Sequence, residues 1–440
     1  GLAAVTGWVC GVAIERARLR AGRAWVALGV TIALGVLGYF KYFNFGVETL
    51  SALLTTVRGR GVSAWHVILP IGISFYTFQV ISYIVDVYRG DAPVARSFVD
   101  VAAYISLFPQ LVAGPIVRYR EIADQLRYRT HSWEKVGQGA GRFMVGLARK
   151  VLIADAVAPI ADAAFSSGAP ALAGAWLGVA AYTVQIYFDF AAYSDMAVGM
   201  GRMLGFRFPE NFDAPYHARS ITEFWRRWHM TLSRWLRDYL YIPLGGSRRG
   251  NRRTLVNLMT VMALGGLWHG AAWSFLLWGL WHGGWLVLER GLAGRAAARS
   301  LPLPSIARRL ATLLIVMAGW VLFRAESLSA AGAVLAGMMG LDGVRIPAEL
   351  LWQLSTGSLV ALAAGWVVII GEPGLARMLD AALPGAWTPG MEMLAAGSPS
   401  ALGLSRGART AARAVLYLVF VVSLVRVLAA SYSPFLYFQF

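Results

Sequence analysis

Charge is scarce in this sequence. Only 14% of its 440 residues are Asp, Glu, Lys or Arg, while 58% are hydrophobic and the mean hydropathy is +0.57. A soluble domain carries about 25% charged residues. A chain this apolar cannot cover a water-facing surface, which excludes disorder, a secreted disulfide scaffold and an ordinary cytosolic enzyme. Acidic residues are scarcer still: 23 Asp and Glu stand against 40 Lys and Arg, a net charge of +17. In a soluble protein that excess would suggest nucleic acid. Here it reads as basic cytoplasmic loops and contact with anionic membrane lipids, with no nucleic-acid partner. One cysteine, Cys10, leaves no intrachain disulfide, and no CxxC or Cys/His spacing offers a metal site. Phosphate-binding glycine loops, dinucleotide fingerprints and GxSxG are also missing. The first residue is Gly1, inside an apolar run (Leu2–Ile14) without the basic start or cleavage site of a signal peptide. The expectation is an N-terminally truncated chain that lacks one or two membrane helices.

What is present is a series of apolar runs near the 17–25 residues a spanning helix needs. They cover Leu2–Ile14, Ala24–Phe40, Trp65–Val87, Phe98–Val117, Ala171–Leu204, Leu255–His269, Ala271–Leu288, Leu310–Phe323, Leu354–Ile370 and Ala412–Ala430. Pro70, Pro109 and Pro115 predict broken or re-entrant helices in the third and fourth. Ala171–Leu204 is too long for one perpendicular helix and carries Gln185, Asp189 and Asp195, so it should tilt, break or become two elements. Ala381–Arg409, rich in Gly, Pro and Ala, reads as a loose connection. The expected fold is all-α, a polytopic integral membrane protein forming a single domain over residues 1–440.

The most basic segment, Arg219–Arg253, holds nine arginines and two carboxylates and belongs on the cytoplasmic side. Within it, Ser220–Leu240 predicts one interfacial helix. Ser220 and Glu223 make a capping box. Phe224, Trp225, Trp228, Leu232, Trp235, Leu236 and Tyr239 form an apolar stripe opposite Arg226, Arg227, Arg234 and Arg237. His229 lies at the edge of that stripe. It is either a border residue or a group presented to a cavity mouth.

Leu255–Leu288 contains no formal charge but two histidines, each in the pentapeptide GLWHG: Gly266–Gly270 and Gly279–Gly283. His269 lies 14 residues beyond Leu255, roughly 21 Å along a helix, past the middle of a bilayer about 30 Å thick. An ionisable residue at that depth is costly and points to function. Imidazole is the side chain suited to general-base work near neutral pH. Gly265, Gly266 and Gly270 leave room for a substrate chain or another backbone, and equally suit helix packing. His282 would sit about 220° around a continuous helix from His269, too far for a shared haem or metal. Asp189 and Asp195, six residues apart, have the wrong spacing for a paired-carboxylate site. They should pair with arginines or cap a break. Ser194 has no base in the sequence pattern. Asp189, Ser194, Asp195 and Trp268 stand only as weak substrate-binding candidates.

Together these stretches resemble the membrane-bound O-acyltransferase family, nearest its bacterial alginate O-acetyltransferase branch. The resemblance rests on Ile68–Gly90, Leu107–Tyr119, Ile186–Phe212, Ser220–Gly250, Leu264–Gly283 and the terminal Tyr437–Phe440. It spans nearly the whole chain, with a core at residues 65–330. This sequence departs from the family at Ala191-Ala192, where Ser-Gly is common, and at Ser274, where Asn is frequent. The resemblance implies a ring of tilted helices around a central tunnel, with His269 as catalytic histidine and His229 as second signature histidine. Independently of the resemblance, the position of His229 beside the next apolar segment suggests a supporting role to His269, orienting a thioester or hydrogen-bonding its carbonyl. The resemblance implies no bound cofactor. The donor would be acetyl-CoA or another acyl thioester on the cytoplasmic side of a bacterial inner membrane. A periplasmic acetyltransferase partner would complete transfer to a polysaccharide such as alginate. Peptidoglycan O-acetylation and D-alanyl transfer to teichoic acid are the alternatives within the family. A transporter or flippase without chemistry is the alternative outside it.

Overall fold

The computed structural model describes residues 1–17, 19–111, 113–168, 170–293, 304–386 and 405–429. Among them it holds helices and turns without a strand, as expected of an all-α chain. Tyr437–Phe440 and most of Ala381–Arg409 lie outside the described residues. The chain falls into two compact units, Gly1–Thr130 with Leu267–Ala272, and His131–Gly266 with Trp273–Phe440.

In the first unit, α1 (Leu2–Arg16) and α2 (Leu19–Arg58) precede α3 (Ile73–Arg89) and α4 (Phe98–Ile105). The aromatic core needs α1 to be bare at Gly11, where a Cβ would stand 2.4 Å from the Tyr83 hydroxyl. The run Trp65–Val87 is helical only from Ile73, after Pro70 and the left-handed Gly72. The non-helical part is held by Asn44, whose side chain donates to Val67 O (2.8 Å) and accepts from Val67 N (3.0 Å). The run Phe98–Val117 breaks too: α4 stops at Ile105, and only a short turn, Phe108–Leu111, follows. Tyr104 ties the irregular part down by donating to Val117 O at 2.9 Å. Both proline-bearing runs are thus interrupted as expected.

The second unit contains a pair of helices that the apolar runs do not reveal. α5 (Trp133–Ala148) passes through a π-helical turn, Arg149–Ala154, into α6 (Asp155–Ser166). Arg142, Lys150 and several glycines interrupt the hydrophobicity there. α7 (Leu172–Met203) is a single helix of 32 residues, about 48 Å long. Of the tilt, break or division expected, neither break nor division occurs: Asp189 and Asp195 are paired with Lys150, Arg142 and Arg149 on the neighbouring segment. α5 and α7 touch backbone to backbone: a Cβ at Gly139 would lie 2.4 Å from Gly199 O, and one at Gly146 2.7 Å from Ala192 O.

Ser220–Leu240 is not one helix. It divides into α8 (Ile221–Arg227) and α9 (Met230–Leu236), followed by a π-helical turn at Arg237–Tyr241. Ser220 accepts from Glu223 N (3.0 Å), but the Glu223 carboxylate takes the amide of Arg219 (2.8 Å), so only half of the capping box closes. The remaining amides of the α8 N-terminus go to Glu289, 2.6 Å from Ile221 N and 2.9 Å from Thr222 N. Phe224, Trp228, Leu232 and Trp235 are buried in protein, so this stripe is a core face and not a lipid-facing one.

α10 (Gly250–His269) and α11 (Trp273–Ala293) cross at the leading glycines of the two pentapeptides. A Cβ at Gly266 would meet Phe275 O at 2.2 Å and the Gly279 Cα at 3.1 Å. Gly266 therefore serves helix packing. α12 (Ser305–Arg324), α13 (Leu328–Met338), α14 (Thr356–Ala382) and α15 (Arg406–Ala429) complete the unit. Four described helices are long and apolar enough to cross a membrane: Ala21–Arg58 within α2, α12, α14 and α15. Exposed side chains such as Val367, Ile370 and Leu428 give them the apolar outer faces that lipid requires.

Candidate active site

His229 stands at the break between α8 and α9, in the left-handed conformation (φ 44°). Among the described residues the one other non-glycine with positive φ is Ala214 (φ 41°), in the loop that fills the break. That loop takes the place of the missing helical hydrogen bonds. Met230 N donates to Asn211 O at 2.9 Å, and Asp213 N donates to Arg227 O at 3.0 Å. Strained backbone at two positions is the kind of feature that persists only where surroundings over-determine it.

The same loop sets the chemistry of the ring. His229 Nδ1 is 3.0 Å from Asn211 Oδ1. That atom also accepts from Thr231 N (3.3 Å) and Thr231 Oγ1 (2.8 Å), so it is the oxygen of the amide. Nδ1 must therefore carry the proton, which leaves the lone pair on Nε2. Burial pushes the imidazole pKa down to about 3, so His229 is neutral at physiological pH. A neutral ring of this tautomer accepts at Nε2 and cannot donate there. A hydrogen bond from this ring to a thioester carbonyl would need the other tautomer. Phe190 meets the ring edge-on at 4.7 Å.

Behind Asn211 lies a buried ionic cluster. Asn211 Nδ2 donates to Ser194 Oγ at 3.0 Å, and Asp195 takes Arg142 Nη2 (2.9 Å) and Arg149 Nη1 (2.8 Å). Arg142 also binds Glu210 at 2.6 Å, and Lys150 binds both Asp155 (2.6 Å) and Asp189 (2.5 Å). Both aspartates are therefore ion-paired as expected, although Asp189 takes a lysine where an arginine was expected. Tyr187 donates to Glu372, and a cavity of about 30 Å³ lies among Arg149, Ser194, Asn211 and Glu372, room for a water molecule.

His269, half-buried, ends α10 in the other unit. The side chains that hold it come from α2. Tyr42 donates to Leu267 O at 2.8 Å, and Lys41 Nζ donates to Trp268 O and, at 3.1 Å, to His269 O. Trp268 stacks on Phe78 with centroids 5.0 Å apart and planes 14° apart. That role is packing. His282 is fully buried against Trp225, Trp278 and Phe224, and neither of its ring nitrogens has a hydrogen-bond partner. Among the described residues no group of His, Cys, Asp and Glu could hold a metal ion.

Of the residues singled out by sequence, Ser194, Asp195 and His229 share one hydrogen-bonded neighbourhood, and Trp268 adjoins His269. Asn211, Glu372 and Lys41 were not singled out. Lys41 follows directly on the run Ala24–Phe40, where a charge reads as the end of a span although α2 continues to Arg58. Asn211 gives no signal alone, since only the fold brings it to His229.

The sequence profile of the membrane-bound O-acyltransferase family matches residues 92–323, the stretch that carries both histidine motifs. The chain belongs to this family. It is similar to the probable alginate O-acetylase of Azotobacter vinelandii, 46% identical over 434 residues, 96% of this chain and 86% of that protein. The corresponding Pseudomonas putida protein is also 46% identical, with the same shares covered. The peptidoglycan O-acetyltransferase of Helicobacter pylori is 37% identical over 74% of this chain and 66% of its own length. The chain is thus a multi-pass membrane O-acyltransferase.

Proposed function

We propose that this acyltransferase moves an acetyl group from a cytoplasmic thioester, acetyl-CoA or an acyl carrier, across a bacterial inner membrane for O-acetylation of an exported polysaccharide such as alginate. The receiving protein would be a periplasmic acetyltransferase. The observation that carries the chemistry is His269, an imidazole at the end of a helix whose closing carbonyls are clamped by α2. The near-full-length likeness to alginate O-acetylases supports the cargo. The basic segment Arg219–Arg253 suits an anionic donor.

In this reading a ring nitrogen of His269 takes the proton from the acceptor hydroxyl. The oxygen attacks the thioester carbonyl, the C–S bond breaks, and the thiolate leaves with the proton returned from the imidazolium. His229 supports the step as a hydrogen-bond acceptor at Nε2. The likeness to a peptidoglycan O-acetyltransferase keeps that acceptor as a second reading.

The test is acetyl transfer by the purified protein in proteoliposomes containing the periplasmic partner, with labelled acetyl-CoA. His269→Ala should lower the rate 10²–10⁴-fold, the range of general-base catalysis, while inserting normally. Near-normal transfer by that variant overturns the assignment of the base. Transfer to peptidoglycan fragments and not to polysaccharide would move the reading to the second acceptor.

A further inference from the structure

We propose that Lys41 is a positioning residue for His269, its ammonium setting where the imidazole stands. The inference rests on the reading of His269 as the general base. The last four carbonyls of an α-helix have no partner within the helix, and Gly270, Ala271 and Ala272 bring no side-chain donor to those of α10. Two consecutive residues of α2 supply the donors for three consecutive carbonyls: Tyr42 for Leu267, Lys41 for Trp268 and His269. Nζ also lies 3.5 Å from Ser74 Oγ on α3 and 5.9 Å from the centroid of the Trp268 ring. Among the described residues no carboxylate forms an ion pair with it.

A lysine inside a spanning helix is expensive, and such residues face the protein interior and serve function. Here the charge meets the negative end of the α10 dipole, where a cation is stabilised. A neutral amide could also satisfy two carbonyls, but it brings no charge. An ammonium on a flexible stem satisfies two and adds the dipole attraction, which fixes the last turn of α10 against α2 and α3. Trp268, stacked on Phe78, completes that clamp. The consequence falls on the residue at the end of the clamped turn, His269. A displacement of about 1 Å in a reacting group can cost on the order of 10²-fold in rate.

The experiment uses the full chain in proteoliposomes. Lys41→Met keeps the stem and removes the donors. It should lower kcat about 10–100-fold and leave KM for acetyl-CoA within about 3-fold. Lys41→Cys, made with Cys10→Ser, should be equally impaired, and alkylation with 2-bromoethylamine, which rebuilds an ammonium of lysine length, should restore most of kcat. Comparing one folded preparation before and after alkylation keeps the test valid even if Lys41→Met does not fold. Normal kcat in Lys41→Met, or no recovery after complete alkylation, overturns the proposal. So does a KM rise of more than 10-fold at unchanged kcat, which would make the ammonium a donor-binding group. An inactive His269→Ala beside a normal Lys41→Met removes the positioning role alone, whereas an active His269→Ala removes the reading on which it rests.

Discussion

In one unit the imidazole of His229 is held by its ring, through Nδ1 to Asn211, in a backbone conformation that histidine rarely adopts. In the other, His269 is held by its main chain, through the Lys41 and Tyr42 clamp on the last carbonyls of α10. His229 is 1% exposed and His269 is half-buried. The difference fits the two tasks proposed for them. A base that must reach substrate needs access and a fixed origin. A histidine that only orients a neighbour can be buried and locked in one tautomer. His282 supplies the contrast within the same apolar hairpin: deeply buried, fixed by neither means, and surrounded by tryptophan.

The comparison breaks most sharply in a double-variant cycle. His269→Ala should cost 10²–10⁴-fold. His229→Asn, chosen because Asn tolerates the left-handed backbone, should cost less, about 10–10³-fold, no more than one transition-state hydrogen bond. If the two act as one unit, the double variant in single-turnover transfer will be little worse than His269→Ala. Fully multiplicative losses would show independent roles. Because His229 stays neutral down to about pH 3, an acidic limb of the rate profile near pH 6 belongs to another group and should persist unchanged in His229→Asn.

A smaller effect is expected one step away. Asn211→Leu removes the acceptor that fixes the tautomer and leaves the Thr231 amide and hydroxyl without it. The rate should fall about 10–100-fold. Thermal stability should fall as well, since each buried group left unsatisfied costs about 1–3 kcal/mol. An unchanged rate together with a lowered melting temperature would make Asn211 purely structural.

Some of this was legible in the sequence. Apolar runs located the spans, prolines located the interruptions of α3 and α4, and the charge-free hairpin singled out His269. The break at His229 was not legible, since helical periodicity continues across it from Phe224 to Trp235. What breaks the helix is a loop 16–18 residues upstream, and no local pattern announces that Asn211 and Asp213 will take the hydrogen bonds of the missing turn. The helices Trp133–Ala148 and Asp155–Ser166 were hidden for the opposite reason. Arg142 and Lys150 suppress hydropathy in and beside them, and those charges become tolerable inside protein only through Asp189 and Asp195 of α7 together with Glu210 and Asp155.

The smallest effect is expected at the third histidine. His282→Leu should leave transfer within about 3-fold and stability unchanged or raised, because it removes two buried nitrogens that have no hydrogen-bond partner. A loss of 100-fold or more would give His282 a role that its surroundings do not suggest.

By itself the sequence determined that this protein lives in a membrane, that its apolar runs around Pro70 and Pro109 are interrupted, and that two GLWHG segments lie in a charge-free hairpin. Those outcomes follow from hydropathy and backbone sterics, which act over a few residues. The tertiary structure alone decided which histidine is locked as a neutral acceptor, which is anchored through its main chain, and which is filler in an aromatic core. Protonation and position depend on partners such as Asn211, 18 residues from His229, and Lys41, 228 residues from His269. Such partners meet only when the chain has folded.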